Sequence, residues 1–308
     1  MTMLTIIIVN WNTANLLNNC VKSIVESYGY KYNIIVVDNG STDESVKLIQ
    51  SNFPKVKLLC NKDNLGFAKA NNLAIKVANT EFICLLNSDT VINGDSISNM
   101  LQYMDLNGDV VACGPALRLP NGRLQTGGAG YELCLVTAFN YFMLLSRIFP
   151  FLFRGMYIDQ NSYVKKGSPV AVDWLAGACL MFRRTAYEKV GGLDESYFMY
   201  AEDAEWCARL KSEGKIIYLP SVEILHYHGA SSESSMKIST KWLDATFRYF
   251  LTKNGESKFD LFRYIVVYGF AIRYILYLML SLKNESYVNQ AKAMLCYLKH
   301  SWSWSKEA

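Results

Sequence analysis

The chain has no Gly-x-Gly-x-x-Gly after its first predicted strand, no Cys-x-x-Cys pair, and no internal repeat or low-complexity tract. The first absence disfavours a dinucleotide-dependent dehydrogenase, whose tight glycine turn lets the backbone approach a pyrophosphate. The second argues against a zinc site. Eight cysteines are scattered at 20, 60, 84, 113, 134, 179, 207 and 296, several inside predicted strands, where Cys behaves as a small hydrophobe. That scatter also argues against a disulfide framework and for a reducing cytoplasm. Net charge is only +4, which leaves no nucleic-acid footprint but suits phosphate-bearing ligands or an anionic membrane surface. No Ser-His-Asp or Cys-His grouping accompanies an elbow motif. The N-terminus lacks a basic stretch and a cleavage site, so residues 4–9 read as a first strand rather than a signal peptide.

What is present is alternation. With 308 residues, 51% of them hydrophobic, a full core is possible. Apolar runs at 4–9, 34–37, 56–59, 82–86 and 110–113 read as strands, and helical spacing occupies 14–28, 44–51, 67–78 and 96–105. Strands alternating with such helices mean βαβ units, hence an α/β fold with a mostly parallel sheet and helices on both faces. Near Pro115 the alternation stops. Asn121-Gly122-Arg123 is a turn, 127–130 is glycine-rich, and 133–153 is apolar and aromatic. Asn140, Arg147 and Pro150 interrupt that last run, so it reads as interfacial or buried rather than as a membrane span. A second α/β stretch follows, with strands at 177–182, 215–219 and 222–225 and a helix at 201–212. After a polar linker at 231–235, the chain becomes helical, aromatic and basic. The expected division is a domain over 1–231, with halves 1–115 and 116–231, and a helical extension over 232–308. Within that extension, 259–280 is broken only by Asp260, Arg263, Gly269 and Arg273. The two arginines are ten residues apart, which puts them on one helix side, as a basic stripe toward anionic lipid would require. A helix packed on the catalytic domain is the competing expectation.

Three groups of residues could carry chemistry. Asn87-Ser88-Asp89 follows the strand at 82–86, Asp38 closes the strand at 34–37, and His226 follows the run at 222–225. Carboxylates and an imidazole at strand ends, completed by diphosphate oxygens, make a plausible shell for Mg²⁺ or Mn²⁺. An ordinary turn explains Asn-Ser-Asp alone. The segment 61–72 is either a loop entering a helix with Asn64 as its cap, or a helix N-terminus beside Lys69 that attracts a phosphate or sugar; spacing does not choose. Glu202-Asp203, with Glu205 and Trp206, follows Tyr197-Phe198-Met199-Tyr200. So aromatic a lead-in points to a cleft, where a carboxylate with a raised pKa acts as general base. Asp194-Glu195 is an acidic turn on the candidate acceptor side.

Seven motifs in order resemble the family 2 glycosyltransferases. They are residues 5–12 (Thr-Ile-Ile-Ile-Val-Asn-Trp-Asn), 36–43 (Val-Val-Asp-Asn-Gly-Ser-Thr-Asp), Asn64-Leu65-Gly66-Phe67-Ala68, Leu86-Asn87-Ser88-Asp89, Gly192-Leu193-Asp194-Glu195, residues 198–203 (Phe-Met-Tyr-Ala-Glu-Asp), and residues 226–231 (His-Tyr-His-Gly-Ala-Ser). They cover roughly 4–231, and within the family the rhamnosyltransferase-like enzymes of bacterial surface-polysaccharide synthesis are most similar. The resemblance implies a GT-A-type fold, a nucleoside-diphosphate sugar donor (dTDP or UDP type), a divalent metal (Mg²⁺ or Mn²⁺) and inversion at the anomeric carbon. Rhamnose is the expected sugar, and a glycan or lipid-linked glycan the acceptor. By the same resemblance Asp38 reads the base and Asn10 lines the nucleoside pocket. Asn64, Gly66, Asn71, Asn87 and Ser88 border the donor. Asp89 and His226 hold the metal, Asp203 is the catalytic base with Glu202 beside it, and Trp174, Asp194 and Glu195 face the acceptor.

The chain departs from the family pattern twice. Asn87 stands where the first acid of the Asp-x-Asp element is expected, and His228 stands where glycine is frequent; His226 is preferred as ligand because it directly follows a strand. The implied location is cytoplasmic, peripheral at the inner membrane face, with no nucleic-acid partner. A sugar-phosphate nucleotidyltransferase would show a glycine-rich phosphate loop near the first strand, and Asn10-Trp11-Asn12 is not one. A catalytically silent glycan-binding homologue has no reason to keep Asp38, Asp89, Asp203 and His226 together.

Overall fold

A computed structural model describes residues 3–29, 31–158, 163, 166–227 and 238–304. Its strands are β1 (Leu4–Asn10), β2 (Asn33–Asp38), β3 (Lys57–Cys60), β4 (Phe82–Asn87), β5 (Thr90–Ile92), β6 (Val110–Arg118), β7 (Ala129–Gly130), β8 (Val170–Val172), β9 (Trp174–Leu175), β10 (Cys179–Arg183) and β11 (Lys215–His226). Its helices are α1 (Ala14–Tyr28), α2 (Ser45–Asn52), α3 (Phe67–Val77), α4 (Ser96–Leu106), α5 (Leu135–Phe142), α6 (Leu145–Ile148), α7 (Arg184–Val190), α8 (Glu202–Leu210), α9 (Lys241–Asn254), α10 (Glu256–Ser281) and α11 (Val288–Ser303). Two compact units result. One joins Met1–Ala129 to Gln160–Ser235, and the other joins Gly130–Asp159 to Met236–Ala308. The stretch 130–159 therefore clusters with the C-terminal helices.

In the first unit the sheet order is β3-β2-β1-β4-β10-β6-β11-β5, with β8 also on β11. Strands β1 to β4 pair in parallel, as do β6 and β11, while β10, β5 and β8 run antiparallel to their neighbours. The parallel strands are apolar on both faces because helices cover both. On β1, Leu4, Ile6 and Ile8 join a core with Leu17, Val21 and Ile24 of α1, and the other face meets the small residues of α3. Parallel strand ends point the same way, so the carboxyl ends of β1, β2 and β4 present Asn10, Asp38 and Asn87 on one edge.

Three elements differ from the sequence expectation. The two expected strands at 215–219 and 222–225 are one strand, β11, whose pairing with β6 shifts register between Leu219 and Glu223. Pro220 lies in that shift and has no N–H to give a ladder, so a bulge keeps the strand continuous where the proline suggested a break. Three-residue β5, too short to leave a period in the sequence, pairs with the end of β11 and sets His226 opposite Thr90. The 133–153 segment holds two short helices rather than one long element.

The second unit is helical and aromatic. Phe247 packs against Phe259, Phe262 and Trp304, and Phe250 stacks on Phe262 with ring centroids 3.9 Å apart. Helix α10 lies so close to α5 that a Cβ on Gly269 would meet Phe142 Cβ at 2.5 Å. The expected lipid-facing arginine stripe is not found. Arg273 donates to the backbone oxygens of Phe142 (2.6 Å), Tyr141 (2.7 Å) and Gly269 (3.1 Å), and Arg263 donates to that of Trp302 (3.3 Å). Carbonyls at the C-terminal end of α5 claim the guanidinium, which sequence spacing could not reveal.

Candidate active site

Asp38 ends β2 buried, with each oxygen accepting a hydrogen bond: Oδ1 from Asn10 Nδ2 (3.1 Å) and Oδ2 from the Ser41 amide (2.9 Å). Asn10 is fixed in turn, because Thr13 Oγ1 donates to its Oδ1 at 2.6 Å. The Thr13 hydroxyl also lies 2.9 Å from Ser88 Oγ. The β1, β2 and β4 strand ends are thus joined by side chains into one rigid edge.

Beyond Ser88, the β5–β11 pairing brings Asp89 to His226, both buried, with Nε2 3.0 Å from Oδ1. Asn87 Nδ2 lies 3.4 Å from the same Nε2. His226 Nδ1 donates to Gln125 Oε1 at 2.6 Å. With the proton on Nδ1, the Nε2 lone pair faces a carboxylate oxygen, an arrangement of two acceptors that a cation resolves. Asp89 Oδ2 is buried with no hydrogen-bond partner among the described residues. These features fit a divalent ion: neighbouring ligands of an octahedral ion at about 2.1 Å lie about 3 Å apart. Asp89 and His226 would supply part of a shell, since no group of three or more His, Cys, Asp or Glu gathers among the described residues. Such a site leaves the remaining positions to phosphate oxygens and water. His228 lies outside the described residues.

The third strand end leads to the acid pair. The Asn87 amide donates to Ala178 O (3.0 Å), and the neighbouring Gly177 amide donates to Asp203 Oδ2 (3.0 Å). Asp203 Oδ1 accepts from the Ala204 amide at 2.8 Å. The fit at Gly177 is close, since a Cβ there would stand 3.0 Å from the Phe67 ring. Burial raises the Asp203 carboxyl while the two amides oppose it by stabilising the anion. Glu202 is buried beside it with Oε2 unpartnered among the described residues. Burial first, and the neighbouring Asp203 charge second, push Glu202 up to about 8. Glu202 is therefore the protonated member of the pair at neutral pH, and the two amides favour placing the pair's charge on Asp203. Tyr200 and Ala201, just before the helix, adopt left-handed backbone with φ of 72° and 66°, a strained lead-in of the kind that collects at functional sites.

The 61–66 loop is held by Asn39. Its Nδ2 donates to Asn64 Oδ1 (2.8 Å) and Gly66 O (3.2 Å), and its Oδ1 accepts from Asn61 Nδ2 and the Leu65 amide. Asn64 is not the cap of α3. Gly66 occupies that place at φ 81°, with Asn64 Oδ1 accepting its amide at 3.0 Å. The backbone needs glycine: a Cβ at 66 would stand 2.6 Å from Phe198 O, which accepts the Phe67 amide at 2.9 Å. Asn71 donates to Phe67 O within α3. Its neighbour Asn72 reaches out, pairing with both backbone groups of Leu193 and donating to Glu195 Oε1 at 3.1 Å. Asp194 accepts the Ser196 amide inside its own turn, and Trp174 sits half-buried in β9.

Gln125, Asn39, Thr13 and Gly177 carry this geometry without having been singled out by sequence. Asn39 stood inside a quoted motif and Thr13 opened a helix. Nothing in the aperiodic stretch around 125 marks that glutamine.

A family model described as "Glycosyl transferase family 2" matches residues 5–191. The N-acetylglucosaminyl-diphospho-decaprenol L-rhamnosyltransferase of Mycobacterium tuberculosis is 29% identical over 212 residues, 65% of this chain and 67% of that protein. Rhamnosyltransferase WbbL of Escherichia coli is 25% identical, covering 71% of this chain and 92% of that one. The dTDP-rhamnosyl transferase RfbF of Shigella flexneri is 24% identical, covering 72% and 69%. Among solved structures, the mannosyltransferase PcManGT from Pyrobaculum calidifontis, in complex with GDP-Man and Mn²⁺, aligns with a TM-score of 0.63 at 16% identity, over 97% of this chain and 85% of that one. GalNAc-T7 with UDP, GalNAc and Mn²⁺ aligns at 0.58 and 15%, over 81% and 48%. At those identities the likeness shows the fold, the GT-A architecture. The family match spans the strand edge and runs past the Gly177 turn, and on it the chain belongs to glycosyl transferase family 2, a glycosyltransferase with rhamnosyltransferases among its relatives.

Proposed function

We propose that the chain moves rhamnose from a dTDP-type donor onto a lipid-linked glycan, with a divalent ion and inversion at the anomeric carbon. The observation that carries this reading is the open, buried Oδ2 of Asp89, whose Oδ1 lies 3.0 Å from His226 Nε2, with the Ala178 and Gly177 backbone linking the same strand end to the Asp203 carboxylate. The names of the three rhamnosyltransferase relatives support the sugar, one of them supports the dTDP donor, and one supports a diphospho-polyprenol acceptor. Both solved neighbours contain Mn²⁺, which supports the metal.

Asp38 and Asn10 would receive the nucleoside, and the Asn64–Gly66 loop would border the donor phosphates and sugar. Asp89 and His226 would hold the ion, which when bound supplies neutralisation of the leaving diphosphate. Asp203, kept ionised by two amides while Glu202 keeps its proton, accepts the proton of the acceptor hydroxyl. That oxygen bonds to the anomeric carbon as the bond to the diphosphate breaks, and the electron pair leaves with the diphosphate. Attack from the face opposite the leaving group inverts the carbon. Trp174, Asp194 and Glu195 are proposed for the acceptor side. Release of nucleoside diphosphate from a panel of nucleotide sugars, with and without chelator, tests the reading. Turnover of a different donor alone would replace rhamnose, and full turnover in excess chelator would remove the metal.

The second unit supports a cytoplasmic protein seated on a membrane surface. It holds thirteen Lys and Arg against seven Asp and Glu, a net of +6, while the first unit holds eighteen against twenty. Toward the end of α10, Ile275, Leu276, Leu278, Met279 and Leu280 are all exposed. Successive helix positions turn by about 100°, so these side chains face several directions, which a fluid apolar layer covers better than one protein partner. Among the described residues α10 alone is long and apolar enough to cross a bilayer; Arg273, hydrogen-bonded to α5 carbonyls, favours seating over spanning. Flotation of the full chain with anionic vesicles should be lost when Leu278 and Met279 are changed to Ser. Equal flotation of both proteins would remove this surface from the reading.

A further inference from the structure

We propose that Gln125 is a positioning residue that selects the ring tautomer of His226 and so makes Nε2 a metal ligand. This inference rests on the metal site put forward under Proposed function. Gln125 is buried, and its amide N–H donates to Leu117 O (2.8 Å), which ties its backbone to β6. β6 pairs in parallel with β11, the strand that ends in His226. Gln125 lies in the loop just after the Leu124–Arg118 bridge; that bridge and the Leu117 bond tie the loop to β6, and this carries Oε1 to within 2.6 Å of Nδ1 on His226 at the end of the neighbouring strand.

The chemistry follows from proton count. A neutral imidazole carries one N–H, and an acceptor at Nδ1 places it there, leaving Nε2 as a lone pair directed at the Asp89 carboxylate. The opposite tautomer would put an N–H on Nε2, 3.0 Å from Asp89 Oδ1, and fill the ligand position with a proton. Metal-bound histidines commonly give their second N–H to an oxygen in this way, and loss of that partner weakens binding by about ten- to a hundredfold. An amide oxygen in this place raises the basicity of Nε2 less than a carboxylate would. Together with Asn87 in place of an acid, it leaves the Asp89 carboxylate as the charged group paired with Nε2. No group of three or more His, Cys, Asp or Glu gathers here among the described residues, so a cation at this site would take much of its charge balance from a diphosphate.

The test measures Mn²⁺ binding to the full chain by calorimetry, and the ring tautomer by ¹⁵N–¹H NMR of the histidines. The chain has three, and His226→Asn assigns the signal. Gln125→Leu should weaken Mn²⁺ binding about ten- to a hundredfold and move the His226 ring toward the Nε2–H form. Gln125→Glu should restore or tighten binding and keep Nδ1–H. A wild-type Nε2–H tautomer, meaning that the amide lies the other way round, would overturn the proposal. So would unchanged Mn²⁺ affinity in Gln125→Leu while Asp89→Ala loses it, and in that case the metal site itself would stand. Unchanged affinity in Asp89→Ala and His226→Asn would instead remove the metal site, and the proposal with it. A circular dichroism spectrum matching wild type guards against a folding defect, and the rescue by Gln125→Glu separates positioning from packing.

Discussion

Asp38 and Asp89 are both buried aspartates at the carboxyl edge of one sheet, and they are finished in opposite ways. Both oxygens of Asp38 accept hydrogen bonds from neighbouring protein groups, whereas Asp89 Oδ2 has none among the described residues. The acid pair on α8 repeats the contrast. Asp203 is held by two amides, while Glu202 Oε2 is open. A buried oxygen without a partner is costly unless something answers it. For Glu202 that answer is its own proton, and for Asp89 we propose a cation. A satisfied carboxylate organises structure or stays charged for chemistry; an open one marks where something is to be added.

Substitutions can break this contrast. The largest effect is expected at Asp89→Ala, where losing the cation's charge stabilisation should lower turnover on the order of 10³-fold or more. Its thermal midpoint should fall less than that of Asp38→Ala. A large stability loss with activity retained would make Asp89 an ordinary structural turn. Next, Asp203→Asn keeps size but cannot accept a proton, so kcat should drop on the order of 10²–10⁴-fold with little change in donor affinity. If Glu202→Gln lost that activity and Asp203→Asn kept it, the two roles are reversed.

Asp38→Ala should cost about 1–3 kcal/mol, because the Ser41 amide and Asn10 Nδ2 lose their acceptor in a buried place. Denaturant unfolding measures it, and donor binding should weaken in parallel. The last prediction concerns pH. With its folded pKa raised from 4.5 to about 8, Glu202 contributes stability that is complete below about pH 4.5 and is lost as pH rises through 8. Glu202→Gln carries no such loss, so its stability advantage over wild type should widen between pH 5 and 8 and then level off. Parallel stability–pH curves for the two proteins would show that Glu202 ionises normally.

The alternating half of the fold was legible because it is repetitive. Residues 14–28 have clean helical spacing, and α1 occupies those positions. Strand-end acids could be read for the same reason: Asp38 and Asp89 follow unbroken apolar runs. Illegible features depend on contacts distant in sequence. Three-residue β5 shows no period, Gln125 meets His226 across 101 positions, and the shift in β11 pairing follows from its neighbour β6. The arginines of α10 show the limit most plainly. Their spacing suggested one helix side, but carbonyls at the end of α5 decided which way Arg273 faces.

The close approach of Gly66 to Phe198 has a consequence for how this sequence can change over time. Any side chain at 66 must displace a carbonyl that belongs to the lead-in of α8, three residues before left-handed Ala201. Positions 66 and 198–201 therefore cannot drift independently. A substitution on one side is tolerated only with a matched backbone shift on the other, so two segments more than 130 positions apart must vary as one.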